Sequence, residues 1–151
     1  MGIADFLEEH KTFEHFTEED LKALSEECVE ASFKKDELIF AEESPGDKMY
    51  ILRVGSVKIF KKIKNNDTTL AIVNPWEFFG EMALLDGGAR SAAAKSIEDV
   101  KALVITTKNF DNLREKSPHA ALSIMDVLVK TLSNRLRQAN KNLEVISFWI
   151  D

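Results

Sequence analysis

The chain has 151 residues, 44% of them hydrophobic and 30% charged, and 26 acids against 20 bases give it a formal net charge of −6. That length suits one domain able to bury roughly 70% of its unfolded surface, and the negative charge opposes nonspecific attraction to nucleic acid or to an anionic membrane surface. No apolar run approaches the ~20 residues of a membrane span.

The opening "MGIADFLEEHKTFEHF" has acids where a secretory leader needs bases. Phe6 stands where a myristoylation signal needs serine or threonine. Cys28 is the only cysteine, so an intrachain disulfide is impossible and a reducing cytoplasm is the expected compartment.

Phe16-Thr17-Glu18-Glu19-Asp20-Leu21 supplies an N-cap threonine, an acidic first turn and an apolar pair across the cap. The spacing predicts a helix from there to about Glu30, with Leu21, Leu24, Cys28 and Ala31 on its inner face. Cys28 reads as a small core residue.

From Lys35 to Thr106 the period changes to two, and turn signals recur every 8–12 residues or roughly so, as in short antiparallel strands. Leu38-Ile39-Phe40 is a predicted strand and "SPGD" at Ser44–Asp47 a turn. "MYILRVGSVKIFKKI" gives two strands parted at Gly55, with Val57, Ile59 and Lys61 on one face. Asn65-Asn66-Asp67 turns the chain, "TLAIV" follows, and Asn74-Pro75 ends it. "SAAAKSI" and "KALVIT" are two more strands, separated by Glu98-Asp99.

Thr107 is the expected cap of a short helix through Leu113, and Ser117-Pro118 the start of a long one. Met125, Val129, Leu132, Leu136, Ala139, Leu143 and Ile146 are alternately four and three apart, a heptad seam. Ile124 and Leu128 lie off it and are expected to pack back onto the strands. The expected fold is α+β: an antiparallel β-roll, a double-stranded jelly-roll-like barrel, flanked by N-terminal helices and a long C-terminal helix. It forms a single domain over residues 1–151, with helices to about residue 34, the roll over 35–106 and helices over 107–151.

The chemistry concentrates in "FGEMALLDGGARSAA", Phe79–Ala93. A helical turn beginning at Glu81 points free backbone N–H groups back toward Gly80, which has no Cβ to hold an anion away. Arg90 offers a planar fork of donors suited to phosphate, and Ser91 and the Ala92 N–H add two more. A carboxylate at Glu81 suits a hydroxyl on the same ligand. One phosphate charge beside a sugar hydroxyl is what a ribose phosphate presents, and the apolar strands nearby suit its base. The competing reading is a connector in which Glu81 and Arg90 pair with each other.

This stretch resembles the phosphate-binding cassette of the cyclic nucleotide-binding domain family, which includes catabolite activator-like proteins, kinase regulatory subunits and gated channels. The pattern reads Phe79-Gly80-Glu81-Met82-Ala83-Leu84-Leu85, a turn at Asp86-Gly87-Gly88-Ala89, then Arg90-Ser91-Ala92. "PGDKMYILRVGSVKI" upstream resembles the family's hairpin, and the likeness covers about Phe33 to Leu143.

The resemblance implies that Glu81 holds the ribose 2′-hydroxyl. It further implies that Arg90 and Ser91 hold the cyclic phosphate with the N–H groups of Met82, Ala83 and Ala92, in a cassette flanked by Phe79 and Gly80. Ala89 departs from the family's proline. Serine rather than threonine at position 91 leans toward cyclic AMP over cyclic GMP, and the register of the last helix points to Asn140 for contact with the base.

The expected function is therefore a cyclic-nucleotide sensor without catalysis, cofactor, metal or direct DNA binding, acting through a separate effector. The alternatives are a dimerisation module whose pocket binds nothing and an excised piece of a larger channel or kinase. The seam predicts a homodimer through the last helix; the other arrangement folds the tail, with Trp149, back as a lid. His10, His15 and His119 read as solvated or capping residues, Trp76 as a packing anchor, and Lys58, Lys61, Lys62 and Lys64 as solubilising charges on a hairpin edge.

Overall fold

The period-two middle of the chain, joined by the segment Val29–Phe33 that precedes it, forms eight antiparallel strands in two four-stranded sheets, seen in a computed structural model that describes residues 2–150, with Ala83 and residues 144–150 described by backbone alone. The first sheet has the order β1 (Val29–Phe33), β8 (Val100–Thr106), β3 (Lys48–Val54), β6 (Phe78–Phe79). The second has the order β2 (Leu38–Phe40), β7 (Ala93–Ser96), β4 (Val57–Ile63), β5 (Asn66–Val73).

Strand β3 shows how the layers divide. Side chains alternate across a strand, and both faces of β3 are buried. Met49 and Ile51 join Leu103, Ile105 and Phe78 against the helices. Tyr50 and Leu52 join Ala102, Phe79, Val57 and Ala94 inside the roll. Gly55 makes the turn into β4 at φ +90, where an added Cβ would lie 2.5 Å from the Asp99 carbonyl oxygen.

The helical layer comprises α1 (Ile3–Glu8), a 3-10 turn (Lys11–Phe13), α2 (Glu18–Glu27), α4 (Thr107–Lys116) and α5 (Pro118–Ile150). Thr17 and Asp20 form a reciprocal capping box at the start of α2. Asp20 is buried and also binds His119 Nδ1 at 2.8 Å, which ties α2 to the first turn of α5. Ala120, Ala121, Ile124 and Leu128 bury one face of α5 in the cluster it shares with α2, α4 and the outer side of the first sheet. Trp76 is an anchor: its indole donates to the Phe6 carbonyl at 2.7 Å, and its ring stacks on Phe6 and His10. His10 caps the 3-10 turn by accepting from the Thr12 N–H.

Several boundaries differ from the expected ones. Helix α2 stops at Glu27, and residues through Phe33 become an edge strand paired with β8, so Ala31 lies opposite Ala102 rather than on a helix. Cys28 is the buried C-cap, its thiol pushed by burial and by the charge of Glu27 up to about 12. The turn expected at Ser44–Asp47 lies earlier, where Ser44 N–H donates to Ala41. The β4–β5 hairpin turns on Lys64 and Asn65, both at positive φ, with Asn66 already paired to Ile63. Val57 and Ile59 face inward, but Lys61, beyond a register shift at Ile59/Phe60, is exposed and pairs with Glu42 at 3.6 Å. Thr106, not Thr107, caps α4 through a capping box with Asn109, because the Thr107 N–H and hydroxyl both donate to the Asp47 carbonyl. No helix among the described residues is long and apolar enough to cross a membrane.

Candidate functional site

The chain enters the site through β6, whose two phenylalanines pair with Tyr50 and Ile51 of β3. Gly80 follows at φ +74, and α3 (Glu81–Asp86) begins directly after it. A Cβ on Gly80 would lie 2.7 Å from Arg90 Nη1 and 3.3 Å from Tyr50 Cδ2, so both conformation and space demand glycine. The far end of the stretch is held by backbone bonds: Arg90 N–H donates to Ser44 at 2.9 Å, and Glu43 N–H donates to Arg90 at 2.8 Å.

Arg90 is only 6% exposed. Its Nη1 donates to the Gly80 carbonyl at 2.8 Å and its Nη2 to the Lys48 carbonyl at 2.9 Å, while Nε is buried without a partner. Burial draws its pKa below the ordinary guanidinium value, opposed by Tyr50, Asp47 and Glu81, which favour the charged form. Among the described residues it makes no ion pair with a carboxylate. A buried cation bonded only to neutral carbonyls has most of its charge left for an external anion.

Glu81 is 2% exposed, and its partner is Arg135 of α5, not Arg90. Arg135 Nη1 binds Glu81 Oε1, and Nη2 donates to the Phe78 carbonyl at 2.9 Å. The connector reading, in which Glu81 and Arg90 neutralise each other, is therefore not the arrangement found.

These groups border a cavity of about 490 Å³, within the usual range for small-molecule sites. Phe79, Gly80, Glu81, Met82, Arg90, Ser91 and Ala92 all line it. The side chain of Ala83 lies outside the described residues. Helix α5 contributes Arg135, Gln138, Ala139 and Asn142, spaced three, one and three apart on one helical face. Asn140 is exposed and absent from that lining, because one helical step of about 100° carries it past Ala139 to the other flank.

Sequence reasoning missed Arg135, Gln138 and Asn142. Their only signal is a polar i, i+3, i+7 row beside the heptad seam, which reads equally well as a solvated helix face. It also missed Phe40, which lines the cavity from β2. No group of three or more potential metal ligands occurs among the described residues.

The cyclic nucleotide-binding domain model matches residues 30–117, more than half of the chain. A CRP-like cAMP-activated global transcriptional regulator of Mycobacterium tuberculosis is 30% identical over 129 residues, 85% of this chain and 56% of that protein. The cyclic AMP receptor protein of Thermus thermophilus is 35% identical over 111 residues, 73% of this chain and 50% of that protein. The chain thus spans about half the length of these relatives. The Thermus thermophilus catabolite activator protein structure superposes with TM-score 0.78 at 31% identity, covering 91% of this chain and 63% of that one. A cyclic nucleotide-binding domain from Methylobacillus flagellatus shares the fold with TM-score 0.82 at 23% identity, covering 93% and 79%.

Proposed function

Since this chain belongs to the cyclic nucleotide-binding domain family, we propose that its cavity takes a cyclic nucleotide and that the chain is a sensor module acting through a separate effector, not an enzyme. The observation that carries this reading is Arg90, a buried guanidinium that lines the cavity, without an ion-pair partner among the described residues and with its Nε unpaired. The charged residues lining the cavity are Arg90, Arg135 and Glu81, which sum to one positive charge. A cyclic phosphodiester carries one negative charge. Arg135 takes Oε1 of Glu81, leaving Oε2 to accept a ribose hydroxyl.

Cyclic AMP is the favoured ligand, on the serine at position 91 and on the names of the two sequence relatives. Ser91 Oγ, Arg90 and the backbone N–H groups of Met82, Ala83 and Ala92 would hold the phosphate. With about twenty heavy atoms at roughly 0.3–0.4 kcal/mol each, a dissociation constant near micromolar is expected. Titration calorimetry with cyclic AMP and cyclic GMP tests the reading, and no heat from either at millimolar concentration would sink it.

The module acts as a homodimer in this reading. Leu122, Val129, Leu136 and Leu143 recur at heptad spacing and are 60%, 62%, 62% and 63% exposed. Such a row is costly in water and suits a parallel two-fold pairing of helices. Helix α5 runs unbroken through Ile150, which supports pairing over a tail folded back as a lid. The side chains of Ile146 and Trp149, assigned to the seam and to the lid, lie outside the described residues. Asn140 sits on the seam flank opposite Arg135, Gln138 and Asn142, by about 140° from Arg135. In a two-fold pair that flank faces the partner's cavity, so Asn140 would read the base across the dimer. The single buried cysteine supports a reducing cytoplasm as the working compartment.

A further inference from the structure

The floor beneath Arg90 is built by an irregularity in β2. Ile39 and Phe40 are sequence neighbours, and a regular strand would send them to opposite faces. Instead the β2–β7 register shifts between Leu38 and Phe40, and both Ile39 and Phe40 pack against the cluster inside the roll. Bulges of this kind re-aim a side chain beside a functional site.

The re-aimed Phe40 ring lies under the guanidinium, 4.1 Å from its centroid to Arg90 Cζ. It stacks on Tyr50 at 6.0 Å and on Phe79 at 6.3 Å, and those two stack on each other at 4.8 Å. Three rings thus back one cation. The Gly80 and Lys48 carbonyls hold two of the five guanidinium N–H groups. The ring fixes the plane from below, where a flexible arginine would otherwise tilt out toward water.

We propose that Phe40, turned into the cavity by the bulge in β2, is a positioning residue that holds the Arg90 guanidinium plane so its unused N–H edge meets the ligand's anionic group. This rests on the proposed anion site at Arg90. Phe40 acts through Arg90, and its effect is confined to the charged part of the ligand. An aliphatic residue of similar volume would fill the space but supply no negative ring face for the cation.

Two measurements test it. The first needs no ligand: in the NMR spectrum of the full chain, Arg90 side-chain resonances are expected to be displaced by the ring current. They should move to ordinary arginine positions in Phe40→Leu and in the volume-conserving Phe40→Met. The second is a double-mutant cycle in cyclic AMP affinity. Phe40→Leu or Phe40→Met should weaken binding about tenfold, Phe40→Tyr should restore it, and in an Arg90→Ala background the same change should cost less than about twofold.

An equal loss in both backgrounds, or Arg90 resonances unmoved by the loss of the ring, would overturn the inference. A variant that fails to melt cooperatively is replaced by the other. Wild-type protein that binds no cyclic nucleotide removes the proposed function and with it the role of Phe40 in binding. The resonance test separately decides whether the ring orients the arginine.

Discussion

Arg135 on α5 reaches Glu81 on α3 with one guanidinium nitrogen and the Phe78 carbonyl, at 2.9 Å, with the other. This fork joins the long helix to the carboxylate at the head of the cassette and to the strand that delivers it. Removing Arg135 leaves Glu81 buried without its cation. Arg135→Ala should therefore destabilise the fold by about 1–3 kcal/mol, the cost of an unsatisfied buried charge-bearing group beside a half-exposed partner. Adding Glu81→Gln should recover part of that loss. Urea unfolding of the two singles and the double measures it, and strictly additive losses would mean that the pair is not coupled.

Arg90→Ala should weaken cyclic nucleotide binding by about 2–4 kcal/mol, since it removes a charge-assisted pair from a buried site. Glu81→Ala should cost less, about 1–2 kcal/mol, because a single hydroxyl loses its acceptor. Calorimetry on variants shown to be folded reads both. Equal affinities for wild type and Arg90→Ala would place the phosphate elsewhere.

Leu136→Asp combined with Leu143→Asp puts two charges into the exposed row and should turn a dimer into a monomer while the strand signal in circular dichroism persists. Sedimentation equilibrium at tens of micromolar distinguishes the states (roughly the range in which modest helix pairs assemble). A wild-type monomer both with and without nucleotide would exclude the pairing.

Asn140→Ala should change the ratio of cyclic AMP to cyclic GMP affinity in the dimer and leave it unchanged in the Leu136→Asp, Leu143→Asp monomer. A ratio that stays constant in the dimer as well removes Asn140 from base recognition.

Acid should loosen the joint between α2 and α5. Burial pushes the Asp20 carboxyl up, but hydrogen bonds from His119 and Thr17, with the attraction of His119, outweigh it and hold the pKa below the usual value. A carboxylate lowered in the folded state contributes stability that is complete above its unfolded pKa of about 3.9 and is lost as the pH falls through the lower folded value. Asp20→Asn should flatten that part of the stability profile below about pH 4 and, by weakening the capping box, lower stability by about 1 kcal/mol at neutral pH. Thermal melts at several pH values check both, and an unchanged acid slope would show that Asp20 does not contribute.

Local chemistry made much of this protein legible. The Thr17 N-cap, the turn at Gly55 and the Ser117-Pro118 start depend on residues a few positions apart, and each forms where its spacing predicts. The Phe79–Ala92 cassette was readable for the same reason, since glycine, carboxylate and arginine occur within one short stretch. Strand β1 was not readable, because Cys28 and Ala31 continue the apolar period of α2, and only the ladder to β8 makes that segment extended. The two-residue β6 is too short to show a period, and it exists because β3 accepts it as an edge.

By itself, then, the sequence determined the elements whose hydrogen bonds and apolar faces are local, together with the residue types able to meet a phosphate. The tertiary structure decided which charges neutralise each other and which stay free. Glu81 stands nine residues from Arg90 in the chain, yet it pairs with Arg135 from a distant helix. Arg90 instead rests on Phe40 and two backbone carbonyls. The physical reason is that pairing of buried charges depends on distance and on exclusion of water. Both are set by how α5 and β2 close over the cassette, which no spacing along the chain encodes.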